Sequence, residues 1–304
     1  MSLQIKELDR KEYLLPGHTA CPGCPAAMGL RLLGKALGGN MILVIPASCA
    51  TIIQGAFPKT SLTVPLINVP FASSAAIASG ISETLDLQHK DVPVVVFAGD
   101  GGTGDIGLQA LSGAAERGEN IIYICYDNEG YENTGIQRSC STPYGAWTTT
   151  TIKGKPEKRK DIPSIIAAHG VPYVATASVS YPLDFIDKVR KSSKIRGLKY
   201  IHLHAPCPTG WRFPSEKTIE VGRLAVLTGT WILYEIEYGS FRLTGPSRSL
   251  LGRGKRKQVE EYLKAQGRFK HLNNEMIKRI KEEVESKWEE VKGLTLRGER
   301  GFHL

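Results

Sequence analysis

Between residues 92 and 128 the chain reads VPVVVFAGDGGTGDIGLQALSGAAERGENIIYICYDN, and no other stretch restricts the fold as much. Val92 to Phe97 and Ile121 to Tyr126 are continuous apolar runs of strand length, without the alternation of a strand that is wetted on one face. Gly107 to Arg117, between them, has the length and the alanine-rich composition of a helix. Two buried strands joined by a helical crossover require a parallel sheet with helices on both faces, so the expected fold class is α/β.

The rest of the chain extends this pattern. Met41 to Ile45 predicts a strand, Ala75 to Leu87 a helix, Pro172 to Ala177 and Leu198 to His204 two more strands, with Pro182 to Lys191 as the helix between them. Gly229 to Leu243 reads as an antiparallel pair or an extension. Met276 to Val291 sets Ile277, Ile280, Val284, Trp288 and Val291 along one helical face, which suits docking on the protein's own core or on another subunit. No apolar window is longer than a strand, so neither a membrane span nor a signal segment is expected, and the chain reads as cytoplasmic. The net charge is +9, from 39 basic and 30 acidic residues, with a basic knot at Arg253, Lys255, Arg256 and Lys257. Aromatic residues do not interleave with these charges as in RNA-binding modules, so no nucleic-acid partner is expected.

Chemistry concentrates where the strands end. Gly99, Asp100, Gly101 and Gly102 follow a buried strand and lead into a helix, at the carboxyl edge where open α/β sheets bind ligands. Residues without Cβ atoms let a diphosphate approach backbone N–H groups. Asp100 is a hard oxygen ligand suited to Mg²⁺, but one carboxylate does not complete the six oxygens that this ion takes. The next strand ends at Asp127 and Asn128 and returns a second oxygen-bearing side chain to the same edge. The arrangement resembles the thiamine diphosphate fingerprint, which implies Asp100, the Asn128 side chain and the Gly130 carbonyl as Mg²⁺ ligands.

Four of the six cysteines lie in turn-like settings: Cys21 and Cys24 in HTACPGC, Cys49 in PASCAT and Cys207 in HAPCPTG. Cys125 lies inside a strand and reads as a core thiol; Cys140, in QRSCSTP, has no evident role. The irregular spacing argues against a secreted disulfide framework and for a reducing compartment. By spacing alone, four turn-borne thiolates suit a [4Fe-4S] cluster, a zinc ion or a redox dithiol with two unrelated thiols.

Taken together, GHTACPGC, the run from FAGDGGTGD through YENTGIQRS, RLAVLTGTWILYEIEYGSFRLT and VEEYLKAQGRFKHL cover nearly the whole chain. With them the chain resembles the β subunits of the 2-oxoacid:ferredoxin oxidoreductases, above all those of the pyruvate enzymes. The resemblance implies thiamine diphosphate, Mg²⁺ and one [4Fe-4S] cluster on Cys21, Cys24, Cys49 and Cys207. It implies a catalytic role for Asn133 facing the thiazolium, and it sets Ile52 beneath the cofactor, unless Ile52 is plain core. The implied reaction is oxidative decarboxylation of a 2-oxoacid to an acyl-coenzyme A, with ferredoxin as acceptor. On this reading residues 1–55 carry three cluster cysteines and pack on the main domain. Residues 56–215 form the diphosphate-binding half of a thiamine fold and include the fourth cysteine, and residues 216–304 form an extension with a docking helix.

The same resemblance implies what the chain lacks. The glutamate that faces the aminopyrimidine of thiamine belongs to a second domain, so the site is expected to close against α, γ and δ type subunits, and the isolated chain to be inactive. Ser48, Ser73, Ser74 and Glu132 depart from the family's expected pattern without removing a ligand, and they leave the substrate open among pyruvate, branched-chain 2-oxoacids, indolepyruvate, 2-oxoglutarate and oxalate. A zinc-stabilised α/β binding protein is the alternative.

Overall fold

The structure is a computed structural model that describes residues 8–251 and 255–299; Arg253 of the basic knot lies outside the described residues. In chain order the elements are α1 (Pro25–Leu37), β1 (Ile42–Pro46), α2 (Cys49–Gln54), β2 (Leu66–Val69), α3 (Ser74–Leu87) and β3 (Val94–Gly99). After a π-helical turn at Gly101–Asp105 come α4 (Leu108–Glu116), β4 (Ile121–Asp127), α5 (Ile162–Ala167), β5 (Tyr173–Ser178), α6 (Pro182–Ser192) and β6 (Lys199–His204). The chain continues through α7 (Pro208–Trp211), α8 (Thr218–Thr228), β7 (Tyr234–Glu237), β8 (Ser240–Leu243), α9 (Gly245–Leu251), α10 (Val259–Lys264) and α11 (Asn274–Glu299).

These strands form one eight-stranded sheet in the order β2-β1-β3-β4-β6-β5-β7-β8. The first six are parallel, and β7 and β8 add an antiparallel hairpin at one side. Val94 to Ala98 and Ile121 to Tyr126 are at most 2% exposed, as the apolar runs require of strands covered on both faces. One buried cluster lies under α3, α4 and the C-terminal elements, and the other under α1, α2 and α6. The predicted strands and helices recur near their expected positions, the C-terminal helix running on from Val291 to Glu299. The short edge strand β2 and the helices α2, α5, α7, α8, α9 and α10 were not legible as separate elements.

Because the central strands are parallel, their carboxyl ends emerge on one edge about 4.8 Å apart. In sheet order, β1 leads to Cys49, β3 to Asp100, β4 to Asn128 and β6 to Cys207. Residues widely separated in sequence thereby become lateral neighbours.

The C-terminal helix docks as its apolar stripe predicts. Val284, Trp288 and Val291 are 9% exposed or less, and Trp288 Nε1 donates to the Gly229 carbonyl at 3.0 Å. Arg256 of the basic knot pairs with Glu285 and lies 5.0 Å from the centre of the Trp288 ring, so that charge serves docking. Trp288→Ala is expected to lower stability by about 3–5 kcal/mol, because it opens a large cavity and orphans a carbonyl. Urea unfolding followed by circular dichroism checks this, and a loss below about 1 kcal/mol would contradict a structural role for the stripe.

Candidate functional site

The Gly-Asp-Gly turn leaves β3 with Asp100 only 1% exposed. A Cβ on Gly101 would stand 2.4 Å from the Tyr131 ring, so the backbone approaches that ring as only glycine permits. The turn is braced from behind by residues 139–160. Ser139 Oγ donates to Asp100 Oδ2 at 2.5 Å, the Cys140 N–H donates to Asp105 Oδ2 at 3.1 Å, and Lys160 Nζ donates to the Gly104 carbonyl. Cys140, without a role in the sequence, proves to be 5% exposed and packed against Gly104.

Asp100, Asn128 and Gly130 converge. The end of the Asn128 amide lies 2.9 Å from Asp100 Oδ1 and 2.9 Å from the Gly130 carbonyl oxygen. With its nitrogen there, the amide donates to both oxygens. With its oxygen there and Asp100 ionised, three oxygens meet with no proton between them, and a cation satisfies them. Separations of 2.9 Å match adjacent oxygens around an octahedral Mg²⁺ whose ligands stand about 2.0–2.1 Å away, so the donor set fits that ion. Burial, followed by the charge of Asp127, pushes Asp100 well above the usual carboxylate range, and the Ser139 hydroxyl opposes this. A carboxylate so placed gains most from a cation. Burial also acts on Asp127, but Arg159 and His202 outweigh it and hold that carboxyl at about 2. Asp127 thus stays ionised while it pairs with Arg159 at 2.5 Å and His202 at 2.7 Å.

The four turn-borne cysteines gather on the same edge. Cys24 precedes α1, Cys49 is the first residue of α2, and Cys207 precedes α7, where its sulfur accepts from the Gly210 N–H at 3.5 Å. The Cys21–Cys24 turn docks on the segment after Cys207. Gly23, at φ +68°, would place a Cβ 2.3 Å from the Ser215 carbonyl oxygen, and Thr218 Oγ1 donates to the Gly23 carbonyl at 2.9 Å. Thr19 Oγ1 donates to the Ile52 carbonyl at 2.5 Å and ties the turn to α2. Burial pushes the Cys49 thiol up to about 12, with Cys24, Glu132 and Cys21 adding to it. Cys207 is likewise raised by burial, then by Glu132, Cys49 and Cys24. Cys49 thus feels Cys24 and Cys21, and Cys207 feels Cys49 and Cys24, so an electropositive centre among them would draw off protons. Among the described residues, no group of three or more His, Cys, Asp or Glu side chains is arranged to hold a metal ion. The four cysteines are therefore not drawn in around one ion, as a structural zinc site would require, and the Asp100 set falls outside that class of group because two of its three donors are an amide and a carbonyl.

The remaining predicted residues divide. Asn133 is exposed. Ile52 is 51% exposed, which removes the reading as plain core and leaves its side chain free to meet a ligand or a partner. Glu132 turns inward against Gly210, and burial raises its carboxyl to about 7. His202 and His204 share a face, as their alternation predicts, and both pack on Trp231. Sequence reasoning missed Ser139, Glu129, Trp211 and Arg268. Ser139 and Glu129 lay in the quoted run ending in QRS and Arg268 in VEEYLKAQGRFKHL, whereas Trp211 lay outside every quoted motif.

The fold and the site define a thiamine diphosphate-binding domain: residues 47–203 match the family described as thiamine pyrophosphate enzyme, C-terminal TPP binding domain. The pyruvate synthase subunit PorB of Methanothermobacter thermautotrophicus is 56% identical over 292 residues, covering 94% of this chain and 99% of that one. The ketoisovalerate oxidoreductase subunit VorB of Pyrococcus horikoshii is 50% identical over 310 residues, covering 96% and 98%. A 2-oxoglutarate:ferredoxin oxidoreductase from Magnetococcus marinus, 21% identical, shares the fold with a TM-score of 0.57, over 71% of this chain and 82% of that one. The chain belongs to the β subunits of the 2-oxoacid:ferredoxin oxidoreductases. Among the described residues no helix is long and apolar enough to cross a membrane.

Proposed function

We propose that this chain is the thiamine- and cluster-bearing subunit of a cytoplasmic pyruvate:ferredoxin oxidoreductase that converts pyruvate and coenzyme A to acetyl-coenzyme A and CO₂. The observation that carries the reading is the convergence of Asp100, Asn128 and Gly130 on the strand edge that also gathers Cys49 and Cys207. Asp100, Asn128 and Gly130 hold Mg²⁺, and Gly99, Gly101 and Gly102 admit the diphosphate. Cys21, Cys24, Cys49 and Cys207 hold a [4Fe-4S] cluster, one thiolate to each iron. Bound there, thiamine diphosphate supplies the nucleophilic carbon and electron sink that decarboxylation needs, and the cluster a one-electron acceptor.

The chain's own residues prepare this chemistry. Ser139 turns Asp100 Oδ2 away so that Oδ1 faces the metal position. The N-terminal ends of α1, α2 and α7 lie at the cluster cysteines, where helix termini favour thiolates. Asn133 and Ile52, both exposed, would meet the thiazolium and the cofactor. Partner subunits of α, γ and δ type supply the glutamate for the aminopyrimidine, most of the oxoacid-binding groups and the onward path to ferredoxin. Similarity to PorB supports pyruvate, and similarity to VorB keeps the branched-chain 2-oxoacid as a second candidate.

The co-purified complex is expected to reduce a viologen with pyruvate and coenzyme A faster than with 3-methyl-2-oxobutanoate, 2-oxoglutarate or indolepyruvate. A reversed preference would reassign the substrate. A colourless protein that holds zinc and reduces no viologen would overturn the enzyme class.

A further inference from the structure

Between the two proposed metal ligands Asn128 and Gly130 stands Glu129, 3% exposed, with φ +62°. A residue with a Cβ is uncommon in the left-handed region, where glycine or asparagine is usual, and a buried one persists only when its surroundings enforce it. Here they do. The Glu129 N–H donates to Asp127 Oδ1 at 2.9 Å, and its carbonyl accepts from Thr142 Oγ1 at 2.6 Å. Its carboxylate accepts from Arg159 at 2.8 Å on one oxygen and from Arg268 at 2.6 Å on the other.

The clamp closes on itself. Arg268, 2% exposed, lies with its guanidinium 3.6 Å from the centre of the Trp211 ring. Trp211 Nε1 donates to the Asn128 carbonyl at 2.8 Å. The peptide between Asn128 and Glu129 is therefore bonded at both ends, its carbonyl by Trp211 and its N–H by Asp127. Glycine would adopt the same φ without strain but would have no carboxylate to clamp, which gives a physical reason for glutamate at this position.

We propose that Glu129 is a positioning residue: its carboxylate, clamped by Arg159 and Arg268, holds the left-handed backbone step that turns the Asn128 side chain and the Gly130 carbonyl onto Asp100. The proposal rests on the reading of Asp100, Asn128 and Gly130 as the Mg²⁺ ligands. Because Trp211 lies in the turn that begins at Cys207, the clamp also sets the metal turn in register with a cluster cysteine.

The test compares Glu129→Gly and Glu129→Gln with the unaltered complex, titrating Mg²⁺ at saturating thiamine diphosphate and reading bound cofactor by circular dichroism. For Glu129→Gly the Mg²⁺ concentration at half-saturation should rise about tenfold, equivalent to about 1.4 kcal/mol, while the iron content stays at the parent level. Most of the rate lost at low Mg²⁺ should return at high Mg²⁺. Glu129→Gln keeps the shape but only one acceptor oxygen, its NH2 facing one of the two guanidiniums as a donor, so its shift should fall between that of the parent and that of the glycine variant. If the unaltered complex binds thiamine diphosphate only with Mg²⁺, and both variants match it within a factor of about two, the proposal is overturned while the metal site stands. Loss of iron in proportion to loss of Mg²⁺ affinity would mark general loosening and also overturn it. Cofactor binding independent of Mg²⁺ in the unaltered complex would overturn the metal-site reading and the proposal together.

Discussion

Asp100→Asn should abolish Mg²⁺-dependent binding of thiamine diphosphate while leaving the folded chain at least as stable as its parent. Asp100 is the one carboxylate of the converging set, so the substitution removes the charge that draws the cation and keeps the shape. Losing one partner of a buried charge pair costs about 3–5 kcal/mol, or between two and four orders of magnitude in affinity. The stability effect has the opposite sign. Burial and Asp127 raise the Asp100 pKa in the folded state, so the folded chain binds a proton that the unfolded chain has released. Without metal, Asp100 therefore weakens the fold progressively as pH rises above the unfolded carboxylate range and through the folded value, and asparagine removes that penalty. Calorimetric melting without Mg²⁺ at pH 5 and at pH 8 checks the sign: the gain from Asn should be larger at pH 8. Retained cofactor binding, or a variant melting well below the parent at pH 8, would sink the assignment of Asp100.

Cys24→Ser should remove the cluster and stop viologen reduction, while Mg²⁺-dependent thiamine diphosphate binding survives. Cys24 acts on Cys49 and Cys207 electrostatically but makes none of the Asp100, Asn128 or Gly130 contacts. Serine is a poorer ligand for iron than thiolate, because soft thiolate ligands suit these clusters. Iron and acid-labile sulfide per chain, together with the visible absorbance that bleaches on adding dithionite, measure the first half. Equilibrium dialysis against thiamine diphosphate measures the second. A Cys24→Ser complex that kept its iron and still reduced viologen would remove this cysteine from the cluster. A variant that lost thiamine binding as well would show the two sites to be one structural unit.

The apolar runs at Val94 to Ala98 and Ile121 to Tyr126, and the glycines between them, were legible as a strand-turn-helix-strand unit because continuous burial and helical length are local patterns. β2 was not, since only four residues at the sheet's edge form it and two of them are exposed. α2 was hidden because its six residues run directly from Cys49, and a single turn and a half carries too few positions for periodicity to register.

The sequence by itself determined which chemistry the chain can hold: one acid and one amide at strand ends, glycines where a diphosphate needs bare backbone, and four thiols in turns. Side-chain chemistry and local spacing are properties of the chain. The tertiary structure alone decided that β1, β3, β4 and β6 lie side by side, which makes neighbours of Cys49, Asp100, Asn128 and Cys207. It alone brought Arg268 and Trp211 from distant segments onto Glu129 and Asn128. Strand order and long-range ion pairs depend on contacts between distant residues, whose energies appear only once the sheet has closed and water has left the clamp.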